Sequence, residues 1–554
     1  MMGKSLLLML LFICLAEISL AQSNPRYLVL YKDKANSPYS VDKPTDFLSS
    51  RAVTRRTRQN IPVTTNDFPV NPAYVTAVKQ TGALVIYSSR WFNGSVVEAS
   101  ASQLEQIKKL SFYKGIELDL PVANLTFKSA GIERTAATEN KLETTEDLDY
   151  GRMRDQLALM EVEQLHQKGY HGEGMLIAVL DDGFFQANQV GFLKPVYDEN
   201  RIVDTHDFVA RDNNVYNDGS HGLNVLSTMA AYLPASMIAI AFKATYALYR
   251  TENGSGESPY EEITWLLGAE RADSLGVDVI NSSLGYTTFD GEFNTSAYNH
   301  TYQQMDGKTT IISRAARFAT RKGILVVNSA GNDGNKAWKY IAAPADVDSV
   351  LSVGATYYDR SYVAFSSVGP NAAGQQKPDI AAVGGGTVLG STAGNVTTGN
   401  GTSFSSPLIA ALGAIFWQEN PTLTAQQIIY VLKKSGNQAA APDNLLGYGV
   451  PSVSKAEQII KNEFAPLGIE NDLIQSITLS PNPADKNVTL SVPNSLIGKK
   501  ASLVTYSSNG QRLHNSEVTL LDKTDLATHT LSTGLYLLRV KVGDHERTLK
   551  FIKQ

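Results

Sequence analysis

Four side chains of complementary chemistry are widely spaced in this 554-residue chain: the carboxylate of Asp181, the imidazole of His221, the amide of Asn332 and the hydroxyl of Ser403. Each lies within two residues of a glycine. Taken singly, they are more typical of turns, of a structural histidine and of a helix cap than of a site. Taken together, they form a set with one definite use.

That use is acyl transfer. The Ser403 hydroxyl is a poor nucleophile until a base such as His221 accepts its proton. Asp181 would orient the imidazole and stabilise the imidazolium. The Asn332 amide and the backbone N–H of Ser403 could bind the developing oxyanion. Such an enzyme should lose activity as His221 is protonated, with an apparent pKa of roughly 6–7.

The elements around these residues predict an α/β fold. The apolar run from Leu408 to Trp417 predicts a buried helix with Ser403 at its N-terminus. The run from Met175 to Leu180 predicts a strand that ends at Asp181. Further strands are predicted at 277–281 and 323–328, and helices at 221–232, 262–275 and 309–321. This alternation predicts a parallel β-sheet flanked by helices, with its site outside the carboxyl ends of the strands.

The length and composition predict several domains. Residues 1–21, with Lys4 before an apolar run and Ser19-Leu20-Ala21 after it, are typical of a cleaved signal peptide. The only cysteine, Cys14, lies in that segment. We expect an α+β domain at 22–140, the α/β domain at 150–460 and a C-terminal β-sandwich at 476–554, joined by polar linkers. Four arginines in the first domain are expected to form a solvated helix face: Arg51, Arg55, Arg56 and Arg58.

The net charge of −5 excludes an electrostatic argument for nucleic acid, which is not an expected partner. No later stretch is apolar and long enough to span a bilayer. The mature chain is expected to be secreted, to act outside the cell or at its surface, and to be free of disulfides.

The region from about 150 to 460 resembles the subtilisin-like serine proteases, the subtilases. The nucleophile segment Gly401-Thr402-Ser403-Phe404-Ser405-Ser406-Pro407 fits the Gly-Thr-Ser-x-x-x-Pro signature of that family. Ala330-Gly331-Asn332 resembles the oxyanion segment, and Val179-Leu180-Asp181 the aspartate segment. One departure is Asp182, which stands where the family usually has Thr or Ser.

The resemblance implies a subtilisin-like fold and a serine endopeptidase. It implies that Ser283, Leu284 and Gly285 form a strand that pairs with an extended protein or peptide substrate. That strand and a second segment would wall the pocket for the residue before the scissile bond; the second segment is Ser329, Ala330 and Gly331.

The flanking regions extend the resemblance. Residues 22–140 are similar to a subtilase propeptide, which implies an intramolecular inhibitor and a zymogen. The tail resembles a type IX secretion sorting domain in Ser480-Pro481-Asn482-Pro483-Ala484, in Gly534-Leu535-Tyr536-Leu537 and in its terminal Lys550-Phe551-Ile552-Lys553. It implies the secretion machinery as a partner. A monomer is expected.

No cofactor is required by this chemistry, and no metal ligand set is assigned. Residues 212–214 and 217–219 could supply oxygen ligands to a structural Ca²⁺, although a polar turn is the simpler interpretation. Two other functions fit the sequence less well, because all of Asp181, His221, Asn332 and Ser403 are present and occur in this chain order. A catalytically inactive subtilase scaffold could serve as a surface binding protein. An esterase of the α/β-hydrolase type would need a Gly-x-Ser-x-Gly elbow and the order Ser, Asp, His, which this chain lacks.

Overall fold

The structure is a computed structural model that describes residues 24–123, 148–464, 474, 476–493, 496–543 and 545–554. The chain divides into two compact units, Met1–Ala456 and Glu457–Gln554. The predicted signal peptide lies outside the described residues, as does most of each predicted linker. Every helix in the described part of the chain is too short or too polar to cross a membrane.

The first unit begins with the predicted α+β region, a four-stranded antiparallel sheet with three helices. The serine hydroxyls of Ser49 and Ser100 cap two of these helices by accepting a backbone N–H of the first turn. Strand order is β2-β3-β1-β4. The elements are β1 (Arg26–Tyr31), α1 (Ser50–Arg58), α2 (Pro72–Gln80), β2 (Leu84–Ser89), β3 (Gly94–Glu98), α3 (Ala101–Lys108) and β4 (Tyr113–Ile116).

A seven-stranded parallel sheet forms the centre of the first unit, as the alternating sequence pattern predicts. Its order is β13-β12-β11-β10-β5-β9-β6. The side chains of β5 and of β10 to β13 are buried throughout, because helices cover both faces of such a sheet. The strands of this region are β5 (Leu176–Asp181), β6 (Ile202–Asp207), β7 (Tyr232–Leu233), β8 (Met237–Ile238), β9 (Thr245–Arg250), β10 (Val279–Ser282), β11 (Leu325–Ser329), β12 (Leu351–Thr356), β13 (Ile380–Val383), β14 (Thr387–Gly390) and β15 (Val396–Gly399).

The helices of this region include the three that the sequence predicts, α7 to α9. Helix α10 is buried from Thr402 to Trp417 and packs against β10 to β13 and against α7. Helices α8 and α9 share a hydrophobic core with the N-terminal sheet. The helices are α4 (Arg154–Ala158), α5 (Val162–Gln167), α6 (Lys194–Asp198), α7 (His221–Ala230), α8 (Pro259–Leu275), α9 (Ile311–Arg321), α10 (Thr402–Glu419), α11 (Ala425–Lys434) and α12 (Val453–Ile459).

The arginines of α1 form the predicted solvated face only in part, since Arg51 and Arg58 are exposed and the other two are not. The side chains of Arg55 and Arg56 are only 1% exposed, and both form ion pairs with the fully buried Asp273 of α8. Arg90, after β2, pairs with the same carboxylate. Arg56 also contacts Asp67 at 2.7 Å. For Arg55 and Arg56 the prediction was wrong because Asp273 lies more than 200 residues further along the chain, beyond the reach of any local pattern.

The second unit contains two antiparallel sheets, in agreement with the predicted β-sandwich. One has the order β16-β17-β20 and the other β19-β18-β21-β22. Both contribute to one core, for example through Val488 and Leu503. The predicted turn Asn509-Gly510 joins β18 to β19. The strands are β16 (Thr478–Ser480), β17 (Asn487–Ser491), β18 (Lys500–Ser507), β19 (Arg512–Thr519), β20 (Lys523–Ala527), β21 (Gly534–Val542) and β22 (His545–Lys553).

Candidate active site

The candidate carboxylate lies at the carboxyl end of β5. Asp181 is the last residue of that strand and is 1% exposed. Its Oδ1 atom accepts hydrogen bonds from Nδ1 of His221 at 2.7 Å and from the backbone N–H of Asp182 at 2.9 Å. A carboxylate can only accept, so Nδ1 carries the proton. Nε2 of the neutral imidazole is therefore the basic atom.

His221 is the first residue of α7, and the glycine after it lets this helix approach the strand end. A side chain at Gly222 would place its Cβ atom 2.4 Å from the carbonyl oxygen of Gly183 and 3.0 Å from Cβ of Asp181. Only a residue without Cβ fits there. The local sequence His221-Gly222 thus brings the imidazole against Asp181.

Ser403 is the second residue of α10 and is 8% exposed. Its hydroxyl donates to the carbonyl oxygen of Ser283 at 3.2 Å, and the Ser283 hydroxyl donates to the carbonyl oxygen of Ser403 at 2.9 Å. Ser403 and His221 line the same cavity of about 500 Å³. In this ligand-free arrangement the serine hydroxyl is held by Ser283 and not by the base, and such contacts often tighten only when substrate is bound.

Asn332 is fixed beside the nucleophile by its oxygen atom. Oδ1 accepts from the backbone N–H of Thr402 at 2.9 Å and from its hydroxyl at 3.0 Å. The amide nitrogen has no partner among the described residues, and an added Cβ at Gly401 would lie 3.7 Å from it. An N–H donor is thus left available next to the helix start that carries Ser403, where backbone N–H groups also favour negative charge.

The two predicted substrate-binding segments lie side by side, since β10 and β11 are neighbours in the sheet. The Ser329 hydroxyl donates to the carbonyl oxygen of Leu284 at 3.4 Å. Ser283, Leu284 and Gly285 line the cavity that contains His221 and Ser403. The segment Ser329-Ala330-Gly331 does not line it, and it lies at the end of β11, on the side of β10 opposite to β5.

The charges around His221 set its basicity. Burial, the largest influence, lowers the pKa of the imidazole. The charge and hydrogen bond of Asp181 and the charge of Asp182 outweigh burial and raise the pKa to about 9. Burial and the nearby charge of Asp181 also raise the pKa of Asp182, to about 6. His221 is therefore a stronger base than the sequence alone indicated, since an apparent pKa of roughly 6–7 was expected.

Four carboxylates that the sequence analysis did not assign to the site also line this cavity. Glu252, Glu257 and Glu261 belong to the loop and first turn between β9 and α8, and Asp290 follows β10. A signal was present, because these glutamates come directly after a strand of the parallel sheet, where sites are expected.

The side chains that could bind a metal ion are engaged in contacts within the protein. Asp181, Asp182 and His221 offer three ligand atoms within 4.8 Å of one another, but Asp181 Oδ1 and His221 Nδ1 are already bonded to each other. In the proposed calcium segments, Asp212 accepts the backbone N–H of Asn214 at 2.8 Å and Asp218 pairs with Arg250 at 3.2 Å. These contacts are those of polar turns; a structural calcium ion stays a prediction.

Three family models match successive parts of the chain. The model described as "Subtilase family" matches residues 172–449. The model for the Peptidase S8 propeptide domain of Bacteroidota matches residues 26–137. The model for a secretion system C-terminal sorting domain matches residues 478–554.

Individual relatives agree with these models. Subtilisin DY of Bacillus licheniformis is 27% identical over 274 residues, which cover 49% of this chain and 87% of the relative. The thermostable alkaline protease of Halalkalibacterium halodurans is 24% identical over 405 residues, 71% of this chain and 96% of the relative. Among solved structures, the epidermin leader peptide processing serine protease of Staphylococcus aureus has a similar fold, with a TM-score of 0.52 at 18% identity over 79% of this chain and all of the other.

Proposed function

This chain belongs to the subtilase family of serine proteases, and from that premise we propose that it is a secreted endopeptidase that acts through an acyl-enzyme on Ser403. One observation carries the proposal. Asp181 holds His221 by a 2.7 Å hydrogen bond, and His221 faces the same cavity as the Ser403 hydroxyl.

The proposed reaction begins when the substrate displaces the Ser403 hydroxyl from the Ser283 carbonyl. Nε2 of His221 takes the hydroxyl proton as Oγ forms a bond to the carbonyl carbon of the peptide. The imidazolium then gives this proton to the leaving amine as the C–N bond breaks. Asp181 stays ionised throughout and stabilises the imidazolium. Water, activated by the same base, releases the acyl group and regenerates Ser403.

The proposed oxyanion site consists of the Asn332 amide and the backbone N–H of Ser403. The observation in its favour is that Thr402 binds the oxygen of Asn332 and so leaves its nitrogen as the free donor. Loss of such a donor in serine proteases is known to cost about 10²–10³ in kcat.

The substrate is proposed to lie extended along Ser283, Leu284 and Gly285. Its residue before the scissile bond would enter the pocket beyond them, toward Ser329, Ala330 and Gly331. Main-chain hydrogen bonds of this kind bind any extended peptide, and side-chain pockets then provide selectivity.

The N-terminal and C-terminal regions are consistent with a precursor that is secreted and then processed. We propose that residues 22–140 inhibit the enzyme until they are removed, and that residues 476–554 are read by the secretion machinery. The match of each region to its family model supports both assignments. The protein would then act outside the cell or at its surface.

A fluorophosphonate probe tests the proposal, because it reacts only with an activated serine. The folded protein, freed of its N-terminal region, should be labelled on Ser403, and the labelled peptide identifies the residue. Asn332→Ala should be labelled more slowly by about two orders of magnitude, and Ser403→Ala not at all. Folded protein that takes up no label would favour the inactive binding scaffold instead.

A further inference from the structure

The cavity beside the candidate nucleophile is lined by five carboxylates. They are Asp182, Glu252, Glu257, Glu261 and Asp290. Among the described residues, the only basic side chain that lines it is His221. A peptide that enters this cleft therefore meets carboxyl groups, which a basic side chain of the peptide can hold in their charged form.

None of the five carboxylates has an ion-pair partner among the described residues. Arg250, which donates to the carbonyl oxygen of Asp182, pairs with Asp207 at 2.8 Å. Lys336, whose charge reaches Glu257, pairs with Asp333 at 2.9 Å. The nearby cations are thus engaged elsewhere, and the chain itself does not neutralise the cleft.

The contacts that these carboxylates do make leave acceptor atoms toward the cavity. Asp182 accepts the backbone N–H of His221 at 3.2 Å through Oδ1 only. Asp290 accepts the backbone N–H of Glu257 at 3.0 Å through Oδ2 only. Glu257 is exposed and its side chain has no recorded hydrogen bond among the described residues. Glu261 differs, since Oε2 accepts the backbone N–H of Ser258 at the start of α8 and Oε1 accepts the backbone N–H of Asn253 in the preceding loop, so both of its oxygens are already engaged.

Loss of contact with water and mutual repulsion raise the pKa values of these groups. Part of the Glu257 side chain is exposed, but the surrounding protein still desolvates its carboxyl group, and this effect, followed by repulsion from Asp290, raises its pKa to about 7. Burial raises the pKa of Glu261 to about 8, although backbone hydrogen bonds oppose it. Burial and the charges of Asp181 and Glu261 raise the pKa of Glu252 well above its ordinary value. A cation placed in the cleft would favour the charged form of every one of them.

The position of the cleft indicates which substrate residues meet it. Side chains of an extended peptide alternate between two faces. If the residue before the scissile bond points toward Ser329-Ala330-Gly331, then the second and fourth residues before the bond point to the opposite face. The acidic cavity lies on that face, because Ser283, Leu284 and Gly285 line it while the Ser329 segment does not.

We infer that the cleft selects peptides with lysine or arginine at the second and fourth positions before the scissile bond, through Asp182 and Glu252 near the nucleophile and Glu257 and Asp290 farther along. This inference rests on the proposed function, according to which the ligand of the site is an extended peptide. It adds which class of peptide the site selects.

Internally quenched peptides that differ at one position test the inference. At the second or fourth position they carry lysine, norleucine (a neutral side chain of similar length) or glutamate, and mass spectrometry locates the cut. The processed parent protein should show a kcat/KM at least about tenfold higher for lysine than for norleucine, since a hydrogen bond to a charged group contributes about that factor or more. Glutamate should be the poorest. A chelator in every assay excludes a bound cation as the cause.

Variants assign the effect to named residues. Glu257→Gln should reduce the lysine-to-norleucine ratio at the fourth position, and Glu257→Lys should reverse the preference toward glutamate. Because Glu257 is exposed, both variants should fold, which thermal unfolding would verify. Glu199→Gln, a change at an exposed carboxylate paired with Arg201 away from the cleft, should keep the parent ratio.

Equal kcat/KM for lysine and norleucine, or a ratio that Glu257→Lys leaves unchanged, would overturn the inference while the proposed function stands. A binding measurement identifies the opposite case, in which the inferred specificity is right and the proposed function is wrong. Short amidated peptides that end at the residue before the scissile bond need no turnover to bind. If calorimetry shows tighter binding of the lysine peptide while no peptide is cut, the specificity stands and the proposed function fails. Equal binding of both peptides by an inactive protein would reject the two together.

Discussion

At the scale of single residues, the second aspartate next to the candidate triad has a chemical effect of its own. Asp182 stands directly after Asp181, and its charge is one of the influences that raise the pKa of His221 to about 9. A general base works only while it is neutral. A raised pKa therefore moves the loss of activity on acidification to higher pH.

The substitution Asp182→Asn should accordingly shift the acidic limb of the profile of kcat/KM against pH toward lower pH. The variant removes one negative charge, which weakens the preference of His221 for its protonated form. Steady-state kinetics from pH 5 to 10, on a peptide without charged residues, measures the shift. Glu199→Gln controls for the loss of a distant carboxylate. Superimposable limbs for the parent protein and Asp182→Asn would contradict this role of Asp182.

At the scale of elements, the sequence predicted most of the frame of the site, and the reason is local. Strands such as β5 and β11 are short apolar runs, and α10 is a longer run that is apolar on all sides, so run length separates the strands from the helix. Asp181 ends β5, His221 begins α7 and Ser403 lies in the first turn of α10, so predicting these elements also placed the three residues at element ends.

Features that depend on distant parts of the chain were not predictable in this way. The burial of Arg55 depends on Asp273, and the acidic character of the cleft depends on how Glu252 and Asp290 meet across separate loops. The two members of each pair belong to different elements. Only the fold brings them together.

The ion pairs between α1 and α8 give a prediction at this scale. Arg55→Met should destabilise the precursor by about 1.5–3 kcal/mol, because it removes one charged hydrogen bond from a buried carboxylate that two other arginines still contact. Urea unfolding of precursor carrying Ser403→Ala, which prevents self-cleavage under the proposed mechanism, measures the change. Arg321→Met, at an exposed arginine of α9, is the matched control. A loss no larger than that of the control would mean that Arg55 contributes little to the association of the two regions.

At the scale of the whole molecule, the two compact units have separate hydrophobic cores. The core of the second unit is drawn entirely from residues 474–551. This separation agrees with a tail that serves export while the first unit serves catalysis.

Removal of residues 476–554 should therefore leave kcat/KM on peptides unchanged and should prevent the protein from reaching the cell exterior. Activity of the purified truncated chain, and its distribution between cells and medium in a host that has the secretion machinery, measure the two effects. A point variant that keeps the fold of the tail but is not exported would show that export depends on recognition of the tail and not merely on the length of the chain. Export of the truncated chain at the normal level would contradict the assigned role.

The arginine contacts onto Asp273 also have a consequence for purification. Residues 22–140 contain 15 lysines and arginines against 10 aspartates and glutamates, whereas residues 1–21 contain one of each sign. Departure of both segments thus takes the formal net charge of the chain from −5 to −10. Because the buried contacts can hold a cut N-terminal region in place, a denaturing gel shows that the chain has been cut but does not show whether the fragment has left the enzyme. On an anion-exchange column the free enzyme should elute at distinctly higher salt, which makes retention a direct measure of release.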